Sequence, residues 1–162
     1  MSISKLCGKI ILISVFTVFG LFKISAQTFA FNLQTSPLTF DYTTSDNFTT
    51  PRNISRAFTI SINNSRRGKY NVYCKIIPNS NTYTDMAPQS LFGIKVNSAN
   101  FTVASSYYQI LTLGLSDILV TNVTGRASKS DIIYYDLILN PLDLNVQPSN
   151  YNYSFVFTVT EY

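Results

Sequence analysis

The sequence predicts an all-β fold, a single antiparallel β-sandwich, with a small β-barrel as the alternative. Three observations predict it. Apolar and polar residues alternate with a period of two in one segment after another, and no segment sustains a period of 3.6. Turn-forming residues separate these segments at intervals typical of all-β proteins. The composition suits strands: the 162 residues include 12 Phe and 11 Tyr, and only 12% are charged.

The first element is not part of the fold. Ile10 to Phe22 is an uncharged apolar run, preceded by Lys5 and Lys9 and followed by Lys23. At about 1.5 Å per residue it is roughly 20 Å long as a helix, short of the ~30 Å hydrocarbon core of a bilayer. A basic start, a short apolar run and the small pair Ser25-Ala26 read as a secretory signal peptide, with a retained membrane anchor as the alternative. Residues 1–26 are therefore expected to be a leader, and residues 27–162 a single domain that is secreted, periplasmic or displayed at the cell surface. The membrane is met only through the leader, during export. Cys7 precedes the apolar run, which is the wrong side for a lipidated cysteine. The Ser25-Ala26-Gln27 junction resembles those of secreted proteins from the Bacteroidetes group.

Strand-like segments then follow one another. Phe29, Phe31 and Leu33 alternate along the first, and Leu38, Phe40 and Tyr42 along a second. Thr43 to Arg52 reads as a loop. Phe58, Ile60 and Ile62 form one apolar face, and Tyr70, Val72, Cys74 and Ile76 another. The residues between them, Asn63 to Gly68, suit a turn, so the pair is expected to be a β-hairpin with Arg66, Arg67 and Lys69 at a solvated tip. Pro78 ends the second strand, and Asn79 to Gln89 forms a long polar loop. Leu91 to Val96 is a short strand, Phe101 to Ala104 another, and Tyr107 to Leu113 a longer apolar run. Leu115 to Leu119 fits one helical turn, but Ile118 and Val120 favour a strand leading to the Thr124-Gly125 turn. Ile132 to Leu139 is strongly strand-like and stops at Asn140-Pro141, before a loop over Asn145 to Asn150. Tyr151 to Thr160 closes the chain with Tyr151, Tyr153, Phe155, Phe157 and Val159 on one face. Eight to ten strands result.

Charge and residue types exclude several activities. Three of the twelve basic residues lie in the leader, and the remaining nine against eight acidic ones leave a net charge of +1. Such a domain has no electrostatic case for nucleic acid. Histidine is absent, which removes His-based triads, Cys-His pairs and histidine metal ligands. Beyond the leader Cys74 is the only cysteine, so no intramolecular disulfide forms, and its place in a strand reads as a small buried apolar residue. Asp131 and Asp136 invite comparison with an acid–base pair, but a separation of five puts them on opposite faces of a strand. Asp131 reads as a turn residue and Asp136 as part of a wet face beside Tyr134 and Tyr135. The remaining acidic residues are dispersed and form no calcium loop. No catalytic residue, metal site or cofactor is expected, and the protein reads as a non-enzyme. The Asn-x-Ser/Thr triplets at Asn47, Asn53, Asn63, Asn100, Asn122 and Asn152 are what a chain rich in these residues contains by chance.

Two adjacent tyrosine pairs remain, Tyr107-Tyr108 and Tyr134-Tyr135. On a strand one member of each must face outward, where a flat ring with a polar tip suits a sugar or a protein surface. Tyr107, Tyr134 and Tyr135, with the Asn79–Gln89 loop, are the candidate ligand-binding residues.

The alternating ends, Phe29-x-Phe31-x-Leu33 and Tyr151 to Tyr162, make the chain resemble bacterial fimbrial or pilus subunits. The cysteine pair common in such subunits is absent here. The resemblance implies a sandwich of immunoglobulin-like or fimbrial-subunit-like shape and a structural or adhesive role. Partners would be a second copy or another surface protein, met through a terminal strand. A binding module for a carbohydrate or another small extracellular ligand is the second reading, with glycans as partners.

Overall fold

The computed structural model describes residues 29–35, 38–39, 44, 46–64, 67–79, 91–125, 127–141 and 152–162. The leader, the Asn79–Gln89 loop beyond its first residue, the Asn145–Asn150 loop, Phe40, Tyr42 and Tyr151 lie outside the described residues.

Eight strands are present among them: β1 (Phe29–Thr35), β2 (Arg52–Asn64), β3 (Tyr70–Pro78), β4 (Phe92–Ala99), β5 (Leu111–Thr112), β6 (Ile118–Val123), β7 (Ser130–Leu139) and β8 (Tyr153–Glu161). Two helical turns are described in full, a four-residue one, α1 (Asp46–Thr49), and a 3-10 turn at Ser105–Tyr108. The strands make two antiparallel sheets, β1-β2-β7-β4-β5 and β6-β3-β8. The two sheets pack face to face as a β-sandwich and do not close into a barrel.

The core forms where period-two alternation points inward from both sheets. The large sheet contributes Phe58, Ile60 and Ile62 from β2, Phe92, Ile94 and Val96 from β4, and Ile133, Tyr135, Leu137 and Leu139 from β7. The small sheet answers with Tyr70, Val72, Cys74 and Ile76 from β3, Val120 from β6 and Phe157 from β8. Phe58 sits between the layers, its ring centroid 5.1 Å from those of both Phe155 and Phe157.

The expected β2–β3 hairpin is corrected. Both strands and both apolar faces lie where the alternation puts them, but β2 and β3 belong to different sheets. Two strands with one strongly apolar face each can pair side by side or face each other across a core, and here they face each other. The connection is built for that crossing. Asn64, 1% exposed, donates from Nδ2 to the Gly68 carbonyl (2.8 Å) and accepts the Gly68 N–H at Oδ1 (3.2 Å), while Arg67 takes φ 56°.

Other expectations shift as well. The Thr43–Arg52 loop contains α1, and β2 begins at Arg52, six residues before the expected face. Phe101 to Ala104 is not a strand, and the Tyr107–Leu113 run divides into the 3-10 turn and the two-residue β5. Leu38 is not in a strand. Ile118 to Val123 is the strand β6 and not a helical turn. The outward face of β7 is also less wet than expected. Ile138 is 4% exposed there because Gly93 on neighbouring β4 leaves room for Ile110: a Cβ at Gly93 would lie 2.6 Å from Ile110 Cγ2 and 3.5 Å from Ile138 Cβ.

Candidate functional site

The three candidate tyrosines do not share one exposed face. Tyr135 points into the sandwich, is fully buried, and donates its hydroxyl to Thr121 Oγ1 at 2.7 Å. Thr121 in turn donates to the Val120 carbonyl, so the buried phenol ends a satisfied chain. Tyr134, the next residue, faces the opposite side of the sheet and is half-buried. Tyr107 lies in the 3-10 turn, partly buried against the core, and its neighbour Tyr108 is the exposed member of that pair. Burial, followed by the nearby Tyr162 and Tyr73 phenols, raises the Tyr107 pKa. A ligand in solution therefore meets Tyr134 and Tyr107 in part, and not Tyr135.

The two aspartates of β7 do point to opposite faces, as their spacing requires, but neither sits in the setting expected of it. Asp131 is no turn residue. It is a strand residue opposite Ile62, 1% exposed, and accepts the Tyr70 hydroxyl at Oδ2 (2.7 Å). Its Oδ1 has no hydrogen-bond partner among the described residues. Asp131 shares its parity with Ile133, Tyr135, Leu137 and Leu139, the set that the fold turns inward. A buried carboxylate with one donor depends on that donor. Tyr70→Phe is expected to cost about 1–3 kcal/mol, since it strands the carboxylate without removing its charge. Thermal melts check this against Tyr70→Phe combined with Asp131→Leu, which should recover much of the loss. If Tyr70→Phe melts with the wild type, the hydrogen bond contributes nothing.

Asp136 is the centre of an outward-facing cluster. It is 4% exposed although it lies on the outer side of the large sheet. Two irregularities flank it. On β2, Ser55, Arg56 and Ala57 stand between the pairs Ile54–Leu137 and Phe58–Tyr135, so three residues oppose Asp136 alone. On β4, Asn97 is the extra residue between Val96 and Ser98. Asp136 Oδ1 accepts both the Arg56 backbone N–H and Asn97 Nδ2, each at 2.9 Å, so one carboxylate ties the two bulges together. Lys95 Nζ lies 3.8 Å from Asp136 Oδ2. Arg56 pays for its place in the bulge with φ 52°, a left-handed conformation that costs a non-glycine residue about 1–2 kcal/mol. Its guanidinium carbon lies 4.7 Å from the Tyr134 ring centroid, and its Nε donates to Asn97 Oδ1 at 3.4 Å. None of this is visible in the pattern of β2, because a bulge changes register without changing composition.

The terminal strands lie at sheet edges. Among the described residues β1 borders the five-stranded sheet and pairs only with β2, and β8 borders the three-stranded sheet and pairs only with β3. No residue of β1 is fully buried. Phe31 stands opposite Ile62 in the register yet remains 43% exposed, while Phe29 and Leu33 on either side of it pack against the core. β1 also carries no charge and no proline. Charge, proline, bulges and shortness are the usual protections of an exposed edge, and this seven-residue strand has none of them. At the opposite edge of the same sheet β5 is protected by being two residues long.

Among the described residues no group of three or more His, Cys, Asp or Glu side chains is placed to hold a metal ion, and no helix is long and apolar enough to cross a membrane. No protein-family model matches the chain, and no curated protein matches it either.

Proposed function

We propose that the chain is an exported, non-catalytic β-domain with a structural or adhesive role at or beyond the cell surface, and that it associates with a second copy of itself through β1. The observation that carries this reading is the edge of β1, on which no described strand lies and which carries no charge and no proline. An incoming strand there gains a ladder of backbone hydrogen bonds, and the exposed Phe31 gives it an apolar anchor. Export rests on the Ile10–Phe22 run between Lys9 and Lys23. The resemblance of the alternating ends to fimbrial subunits points the same way.

Size exclusion of three forms tests it: the chain from Gln27, the chain from Thr35, and the chain from Gln27 carrying Asn32→Lys. The first is expected to form oligomers whose share grows with concentration. Asn32→Lys should remain folded and elute as a monomer, because a charge on a strand edge opposes pairing. The chain from Thr35 should lose the oligomer as well. A concentration-independent monomer for the unmodified chain, or oligomers undiminished by Asn32→Lys, would overturn the proposal.

A further inference from the structure

The Asp136 carboxylate accounts for the backbone at Arg56 but not for the choice of arginine there. Glycine accepts a left-handed φ at no steric cost, and asparagine at less cost than arginine. What arginine adds is its head group, stacked on Tyr134 and fixed at Nε by Asn97. Its two terminal nitrogens have no partner among the described residues. On β4, paired with Asp136, stands Lys95, with its side chain 31% exposed and its ammonium 3.8 Å from the Asp136 carboxylate, outside ordinary hydrogen-bond distance. Lys95 thus approaches a carboxylate that the backbone already uses, while the Arg56 guanidinium is held apart from it over Tyr134, and two cations against one aspartate leave the patch one positive charge in excess.

We propose that this outer face of the large sheet, formed by Arg56, Lys95, Asn97 and Tyr134, binds the carboxylate of a hydroxyl-bearing acid, with sugar acids as the class that fits. A carboxylate presents two oxygens in one plane, and a guanidinium fork meets both at once. Stacking on Tyr134 holds the fork in place before the ligand arrives, so little side-chain freedom is lost on binding. Lys95 supplies the second charge. Ser55 Oγ, which accepts from Asn97 Nδ2 at 3.3 Å, and Ser98 Oγ, which donates to Asn97 Oδ1 at 3.1 Å, line the patch with neutral groups suited to ligand hydroxyls. The Tyr134 ring serves as the support for Arg56 and not as a stacking platform for the sugar. The site spans β2, β7 and β4, and its β2 residues precede Phe58, where the pairing of β2 with β1 ends, so it does not depend on association through β1.

Amide NMR titrations of the chain from Gln27 test the proposal, with glucuronate, D-glucose and inorganic sulfate as probes. Glucuronate is expected to shift the Arg56, Lys95 and Asn97 amides saturably, glucose to leave them unmoved, and sulfate to bind at least about tenfold more weakly. Arg56→Gly should weaken glucuronate binding about tenfold or more while melting no lower than the wild type, because glycine relieves the backbone as it removes the fork. Arg56→Lys, which keeps the charge without the fork, should lose most of the binding too, and Lys95→Gln part of it. The proposal is overturned if glucuronate produces no saturable shift. It is also overturned if sulfate binds as tightly, which would mean an unselective anion patch, or if Arg56→Lys binds like the wild type.

Discussion

Phe58→Ala is expected to destabilise the domain by about 3–5 kcal/mol, a large fraction of the ~5–15 kcal/mol that holds a domain folded. Phe58 is 1% exposed, and its ring touches Phe155 and Phe157 of the opposite sheet, each with a centroid separation of 5.1 Å. The position joins the layers. Removing the ring takes away its transfer free energy and leaves a cavity that two strands held by ladders on β2 and β8 cannot collapse to fill. The β2 bulge immediately before Phe58 sharpens the effect, because it fixes the strand's register there and limits local repacking. Thr158→Ala, at an exposed position between Phe157 and Val159, should stay within about 0.5 kcal/mol. Denaturant unfolding of the two variants gives the comparison through their midpoints. Similar midpoints would mean that Phe58 does not bridge the sheets as described.

Faces were legible in this sequence, and neighbours were not. Alternation places Phe58, Ile60 and Ile62, and likewise Tyr70, Val72, Cys74 and Ile76, on buried faces, because burial of one side is what produces the alternation. The same alternation is silent on which strand lies beside which. Thus β2 and β3, joined by a short turn, divide between sheets and face each other across the core. At β7 the pattern fails for another reason. Ile133, Tyr135, Leu137 and Leu139 on one side compete with Ile132, Tyr134 and Ile138 on the other, and both sets look apolar. Only the structure decides that Tyr135 is inside, and only the space at Gly93, filled by Ile110, explains why Ile138 is covered outside. The cluster around Asp136 was illegible because it depends on two bulges meeting across one strand, a tertiary coincidence with no local signature.

Above pH 9 the domain is expected to lose stability steeply, and buried acids that carry no charge in the folded state are the cause. Cys74 is wholly inaccessible, and burial, with a smaller contribution from Asp117, pushes its thiol from an ordinary 9.0 up to about 12. Burial likewise raises the Tyr70 phenol far above its ordinary 10.0, reinforced by the hydrogen bond to Asp131 and its charge. Tyr135 is raised chiefly by burial, against a smaller lowering by Thr121. Each group is protonated and neutral when folded and ionises more readily when unfolded. Below the unfolded value both states hold the proton, so stability is unaffected by pH. Between the unfolded and folded values only the unfolded state releases it, and stability falls by up to about 1.4 kcal/mol per pH unit for each group. For Cys74 that window runs from pH 9 to about 12 and amounts to about 4 kcal/mol at its end. The two tyrosines add their slopes from pH 10 upward, and together the three approach the whole stability of a typical domain. Denaturant midpoints from pH 8 to 11 measure the fall. Cys74→Ala lowers stability at every pH by leaving a small cavity, but its curve should stay flat to about pH 10, where the wild type already declines. If the two curves run parallel from pH 8 to 10, the Cys74 thiol is not the group that ionises on unfolding.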